Sequence, residues 1–394
     1  MNPGLNPNSP ASALPPPDPD AQAVSRALAD AIADRIEAAG GWISFADYMD
    51  LALHLPGLGY YAGGSRKFGA EGDFVTAPEL TPLFGQALAR QVAQVMAASA
   101  PRVLEVGAGS GKLAADLLLA LEAIGCAPER YDILELSGEL AARQRETITE
   151  AAPHLASRVT WLSALPDDFS GCVVANELLD ALPAHAVAWR PDGLMERGVA
   201  LTDSGFVWAE RPATGELLAA LEGIAPPPAA PYESEVGLAA RAWVAEWGHR
   251  LSAGALLLID YGYPRSEFYA PQRDRGTLRC HYRHRAHDNP FSWPGLSDIT
   301  AHVDFTAMAD AGFEAGLSVL GYAPQATFLV NCGIGELLQA RQEAGGEQAL
   351  RAAGAVRMLL SPAEMGEMFK VIALGREMPE PLLGFMRGDR LHTL

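Results

Sequence analysis

The spacing of apolar residues changes several times along the chain, and each change marks an element. Val24, Leu28, Ile32 and Ile36 recur every four positions, which lines one face of a helix that Gly40-Gly41 ends. Residues 42–55 read as a second helix with Ser44 as its N-cap. Six glycines between Gly57 and Gly72 then break any regular element. A helix near 80–98 leads to the apolar run Val103-Leu104-Glu105-Val106, a glycine turn and a helix over 112–121. Strand, turn and helix in that order form the opening of a nucleotide-binding βαβ unit.

The alternation continues with strands at 131–135, 158–162 and 172–175 and a helix near 138–150, which predicts a doubly wound, mostly parallel α/β sheet. Residues 186–210 switch to short strands around Pro191-Asp192-Gly193, the pattern of an inserted antiparallel meander. A helix near 236–251 precedes a buried strand at 256–259, and two more strands are expected within 317–330 and at 369–374. Residues 262–300 are polar and too long for a simple connection, so they are expected to cover the sheet's carboxyl edge. The resulting division is a disordered tail over 1–20, a helical extension and covering loop over 21–100, a main domain over 101–375 with insertions at about 186–235 and 262–300, and a tail over 376–394.

The glycine turn carries the first chemistry. A dinucleotide fingerprint needs its third glycine three places after the second, and here Lys112 stands there. The spacing is instead Glu105, Gly107, Gly109, Gly111, which resembles the donor-binding motif of class I methyltransferases and leaves backbone room for a methionyl group. Glu135 closes the next strand, where a carboxylate can accept both ribose hydroxyl protons, with Leu136 beside it. Ser163 and Ala164, just past the third strand, are placed where an adenine ring would lie. The cofactor expected is S-adenosyl-L-methionine.

Candidate acceptor chemistry lies in Asn176-Glu177-Leu178-Leu179-Asp180-Ala181-Leu182-Pro183, at the same carboxyl edge. Methyl transfer is an in-line displacement, so the protein chiefly aligns the nucleophile and handles its proton. Glu177 suits this by holding a guanidinium through two hydrogen bonds; Asn176 and Asp180 are its neighbours. Gly72-Asp73-Phe74-Val75-Thr76-Ala77-Pro78-Glu79 reads as a loop able to close over the cofactor through Thr76 and Pro78, or as a turn before the next helix. His302 and Asp304 fall on one side of an extended segment, available as a hydrogen-bonded pair, with a structural histidine the plainer reading beside a proton shuttle. Cys280, His281, His284 and His287 are interrupted by arginines and lack spaced acids, so no metal site is expected.

Charge and composition narrow the class. A formal net charge of −19 disfavours a nucleic-acid partner held by its phosphates. No apolar run reaches the roughly 18 residues of a membrane span, and the start has neither a secretory signal nor an arginine-rich transit pattern. A bacterial cytoplasmic protein is the expectation. The four cysteines follow no paired spacing.

Together these residues resemble the MidA-like methyltransferases, whose eukaryotic members are mitochondrial complex I assembly factors. The similar segments are Phe45-Ala46-Asp47-Tyr48-Met49, Gly59-Tyr60-Tyr61, the 72–79 loop, the glycine turn, the 176–183 stretch, Asp260-Tyr261-Gly262, Gly276-Thr277-Leu278-Arg279 and residues 298–305. Cys280-His281 departs from the less polar pattern expected beside Tyr282. The resemblance implies a class I, Rossmann-like fold with an N-terminal helical extension and, for the mitochondrial members, dimethylation of an arginine in a respiratory-complex protein. By position, Gly107, Gly109, Gly111 and Glu135 would hold the donor and Glu177 the acceptor. A protein arginine N-methyltransferase is the leading expectation, beside a small-molecule methyltransferase and a donor-binding assembly factor without catalysis.

Overall fold

The computed structural model describes residues 14–62, 76–222, 224, 231–379 and 381–394. The expected disordered tail lies largely outside the described residues, as do positions 72–75 of the expected closing loop. Among the described residues, seven strands form the main path of the central sheet, β1 (Arg102–Val106), β2 (Arg130–Leu134), β3 (Val159–Leu162), β4 (Phe169–Asn176), β5 (Leu251–Tyr263), β6 (Ser318–Pro324) and β7 (Phe369–Arg376), and Val303–Asp304 pairs beside the end of β5. Their order is β3-β2-β1-β4-β5-β7-β6. β1 to β5 run parallel, while β7 is antiparallel to both its neighbours. The chain leaves β1 toward β2 and returns on its other side as β4, so a crevice opens at the carboxyl ends of β1 and β4.

Alternation along the strands divides the core between two helical layers. Val103, Val174 and Leu257 join one apolar cluster with Phe84, Leu88 and Val92 of α3 (Pro82–Ala98) and Leu117 of α4 (Lys112–Ala123). Leu104, Val173 and Leu256 join the other, with Trp247 of α6 (Leu238–Arg250) and Met308 of α7 (Phe305–Glu314). Such strands, buried on both faces, read as continuous apolar runs. α5 (Gly138–Ala151) follows β2 and buries Ile148 in the first cluster.

The N-terminal extension and both insertions share a third core. Leu28, Ile32 and Ile36 of α1 (Pro19–Ala38) and Phe45, Tyr48 and Met49 of α2 (Phe45–His54) pack with Val199 of the meander and with Cys280 and Ile299 of the 262–300 segment. Ser44 caps α2 as expected, accepting the Asp47 N–H at 3.0 Å. The meander (His185–Arg190, Gly193–Thr202, Gly205–Pro212) gains two further partners, Ile43–Ser44 and Tyr232–Val236. The 262–300 segment, expected to be irregular, holds a small sheet of Arg279–Tyr282, Arg285–His287 and Asp298–Thr300. Its strands are three or four residues long and mostly polar, too short to show a period. Three stretches far apart in sequence thus fold into one cap. Residues 376–394 pack back as well: Leu382 and Phe385 are buried in the first cluster.

β4 and β5 approach through facing glycines, Gly171 (φ 138°) and Gly254 (φ 125°). A Cβ on Gly254 would lie 1.9 Å from the Gly171 carbonyl oxygen. Gly254→Ala is therefore expected to lower the unfolding free energy, measured in urea, by about 3 kcal/mol. Gly215→Ala, at φ 58° with open space around it, should cost only about 1 kcal/mol. Equal small losses would show that the two strands can part here.

Candidate active site

Gly107 (φ 72°), Gly109 (φ 53°) and Gly111 (φ 83°) all take left-handed backbone, which L side chains resist. The turn folds tightly against its surroundings. A Cβ on Gly107 would come 3.3 Å from Leu178, and one on Gly111 would come 2.9 Å from the backbone of Gln144. Ser110 Oγ donates a short hydrogen bond to Glu79, tying the turn to the helix Ala77–Leu80.

This turn borders a cavity of about 1340 Å³ at the carboxyl edge of the sheet. Thr76, Pro78, Glu105, Gly107, Gly109, Glu135, Leu136, Ser163, Ala164, Asn176, Glu177, Asp180 and His302 all line it. Gly111 does not: it starts α4 and lets that helix pack against Gln144. Leu136 is 82% exposed, an apolar shelf on the cavity wall.

Glu135 is fixed through both oxygens. Ser137 N donates to Oε1 at 2.9 Å and Gln144 Nε2 to Oε2 at 2.8 Å. The same Nε2 reaches the Gly109 carbonyl at 3.1 Å, and Trp161 Nε1 holds Gln144 Oε1 at 2.9 Å. Burial raises the Glu135 carboxyl, against these donors. Glu105 lies deeper: Tyr131 OH donates to it at 2.5 Å, and burial pushes it up to about 7.

The other side of the cavity gathers acids. Glu177 leaves β4 with φ 53°, its N–H donating to the Ile259 carbonyl at 2.8 Å. Asn176 Nδ2 donates to its Oε1 at 3.0 Å. Burial first, and then the charges of Asp180 and Asp298, raise Glu177 to about 8. Asp180 is 4% exposed, accepts a hydrogen bond from Tyr261 and is raised by burial. Its Oδ1 is buried with no hydrogen-bond partner among the described residues. Asp260 accepts the N–H groups of Leu179 (2.9 Å), Asp180 (3.3 Å) and Tyr261 (2.9 Å), and burial and the neighbouring acids hold it well above the usual range. Asp298 accepts from Tyr61 OH at 2.9 Å.

The expected pairing of His302 with Asp304 does not form. Asp304 caps α7 through the Ala307 N–H at 3.1 Å and pairs with Arg265 at 3.4 Å. His302 stands edge-on to Tyr261, with ring centroids 5.0 Å apart. Burial and three nearby cations lower it to about 4, so it is neutral at pH 7. Cys280 faces the cap core and pairs across the strands with His287. Among the described residues no three His, Cys, Asp or Glu side chains are placed to hold a metal, and no helix is long and apolar enough to cross a membrane.

Gln144, Tyr131 and Tyr61 are the structural partners that sequence reasoning did not single out for a role. Tyr61 belongs to the Gly59-Tyr60-Tyr61 segment, but Gln144 is one polar residue in a polar helix and gives no signal.

A sheet ordered β3-β2-β1-β4-β5-β7-β6 with β7 reversed, and a glycine turn facing a strand-end carboxylate across one cavity, define a class I methyltransferase. Residues 87–323 match the model of the family described as "Putative S-adenosyl-L-methionine-dependent methyltransferase". The chain belongs to that family and is a methyltransferase that uses S-adenosyl-L-methionine. It is similar to "Protein arginine methyltransferase NDUFAF7, mitochondrial" of Rattus norvegicus, 30% identical over 371 residues that cover 85% of this chain and 81% of that protein. The Homo sapiens protein of the same name is 29% identical over 371 residues, covering 85% and 80%. A Burkholderia thailandensis structure bound to S-adenosyl-homocysteine superposes with a TM-score of 0.93 at 53% identity, covering 97% of this chain and all of that one.

Gln144→Leu removes the bonds that orient Glu135 and hold Gly109 while keeping the side-chain volume. Calorimetric titration with S-adenosyl-L-methionine is expected to show about tenfold weaker binding, near 1.4 kcal/mol. Unchanged affinity would mean that Glu135 needs no such support.

Proposed function

We propose that the protein is an arginine N-methyltransferase acting on a protein, with an acceptor of the respiratory-complex type expected from the family resemblance. The observation that carries this reading is the set of buried acids beside the glycine turn. Glu177, Asp180 and Asp298 line one wall, and burial together with the charges of Asp180 and Asp298 disfavours ionisation of Glu177. A guanidinium entering the pocket supplies positive charge beside these acids and five donors in a planar fork. The names of the rat and human relatives support this acceptor class.

The residues fit the methyl donor. Asn176 Oδ1 is a buried acceptor with no hydrogen-bond partner among the described residues, suited to an ammonium group, and Glu135 has both oxygens directed by protein donors, suited to ribose hydroxyls. Leu136, Ser163 and Ala164 would form the wall for an adenine ring. When bound, S-adenosyl-L-methionine supplies an electrophilic sulfonium methyl group. Glu177 and Asp180 hold the guanidinium plane, Asp180 drawing positive charge toward the nitrogens it binds and Glu177 accepting a hydrogen bond from the nitrogen left the better nucleophile. Glu177 takes up the proton that this nitrogen sheds as its bond to carbon forms. His302, neutral and packed on Tyr261, keeps the wall that positions the Asp180 carboxyl.

The sign of the pH dependence follows. Glu177 is raised to about 8, so in the free enzyme it is mostly protonated at pH 7 and gains charge as pH rises. Methylation of an arginine peptide, followed by label transfer at subsaturating peptide, is expected to rise through pH 7–8.5. Glu177→Gln should lower the rate by about a thousandfold with donor binding retained. A flat profile together with an active Glu177→Gln enzyme would remove Glu177 from the reaction.

A further inference from the structure

The 262–300 segment carries a feature that neither donor binding nor the acid pocket uses. Arg279–Tyr282 and Arg285–His287 form a hairpin in which Tyr282 pairs with Arg285, so the turn is only Arg283-His284. Both turn residues have positive φ, 49° and 60°. A two-residue turn with left-handed backbone at both positions strongly favours Asn-Gly, because a larger side chain strains there. This chain instead places two exposed basic residue types at the strained positions.

The charge around the tip points the same way. Residues 273–287 contain five arginines and one aspartate, in a chain whose formal net charge is −19. Arg283 stands 3.3 Å from Asp18 and Arg279 pairs with Asp288, both acids outside this stretch. All four of these side chains are about half exposed or more, so water weakens both pairs. Arg279 and His281 on the same hairpin also line the cavity, which places the basic strip directly at its edge.

We propose that this hairpin is a docking point for an acidic segment of the protein substrate, next to the arginine that enters the cavity. The inference rests on the arginine methyltransferase reading above. It adds the charge of the acceptor's neighbourhood: acidic pocket for the guanidinium, basic rim for flanking aspartates and glutamates. The chain as a whole is strongly acidic, so a preference for such flanks is expected to originate at a basic strip of this kind. Strain retained at an exposed turn is consistent with a binding role.

The test replaces the tip with the turn the backbone favours. Full-length protein carrying Arg283→Asn and His284→Gly is compared with wild type, using fluorescent twelve-residue peptides with a central arginine and either Asp/Glu or Lys flanks. Binding is read by anisotropy at low and high salt, and methylation by label transfer. Wild type is expected to bind the acidic peptide at least tenfold more tightly than the basic one, with the preference shrinking in high salt. The variant should melt at a higher temperature yet bind the acidic peptide severalfold more weakly, with KM raised and kcat unchanged. A variant that melts higher and binds both peptides as wild type does would overturn the proposal, as would a wild type without preference between them. Tight, salt-sensitive binding of the acidic peptide without label transfer would instead refute the arginine methyltransferase reading and leave docking intact.

Discussion

The site depends on one constrained carboxylate. Glu177 stands at the end of β4 with left-handed backbone, a conformation that costs a non-glycine residue on the order of 1–2 kcal/mol. The pairing of β4 with β5 holds it there, since its N–H is bound to the Ile259 carbonyl. From that position its carboxyl meets Asn176 on one side and the fields of Asp180 and Asp298 on the other. Burying Glu177 beside these acids disfavours its charged form in the empty protein, and the rest of the fold has to bear that cost.

The fold divides this work between two bodies. The parallel sheet creates the crevice at β1 and β4 and supplies the glycine turn, Glu135 and Glu177. The cap, folded from the N-terminal helices, the meander and the 262–300 segment around one apolar core, supplies Tyr61, Arg279, His281 and Asp298. Its Tyr61 and Asp298 are joined by a hydrogen bond that runs from the N-terminal extension to the small sheet. In the proposed reading the donor-facing groups sit on the sheet, and the cap completes the acceptor side.

What could be read from the chain follows the strength of each local signal. Glu105, Gly107, Gly109 and Glu135 were legible because strand, turn and helix must occur in that order and because the glycines meet a steric need that the backbone confirms. The acids at Asn176-Glu177 and Asp180 were legible by position at a strand's end. The small sheet within 262–300 was not, since its strands are too short to show alternation. Gln144 was hidden for another reason: it is one polar residue among many on α5, and only the packing of that helix against the glycine turn brings it to Glu135. The partnership of His302 with Asp304 does not form because the helix that starts at Phe305 claims the aspartate as its cap.

A guanidinium in the pocket is proposed to restore charge to Glu177, which is held mostly neutral at pH 7 in its absence. Calorimetry of arginine-peptide binding in two buffers of different ionisation enthalpy counts the protons exchanged. With Glu177 raised to about 8, binding is predicted to release close to ~1 proton at pH 7 and almost none at pH 9.5. Binding at pH 7 with no proton release would contradict the account.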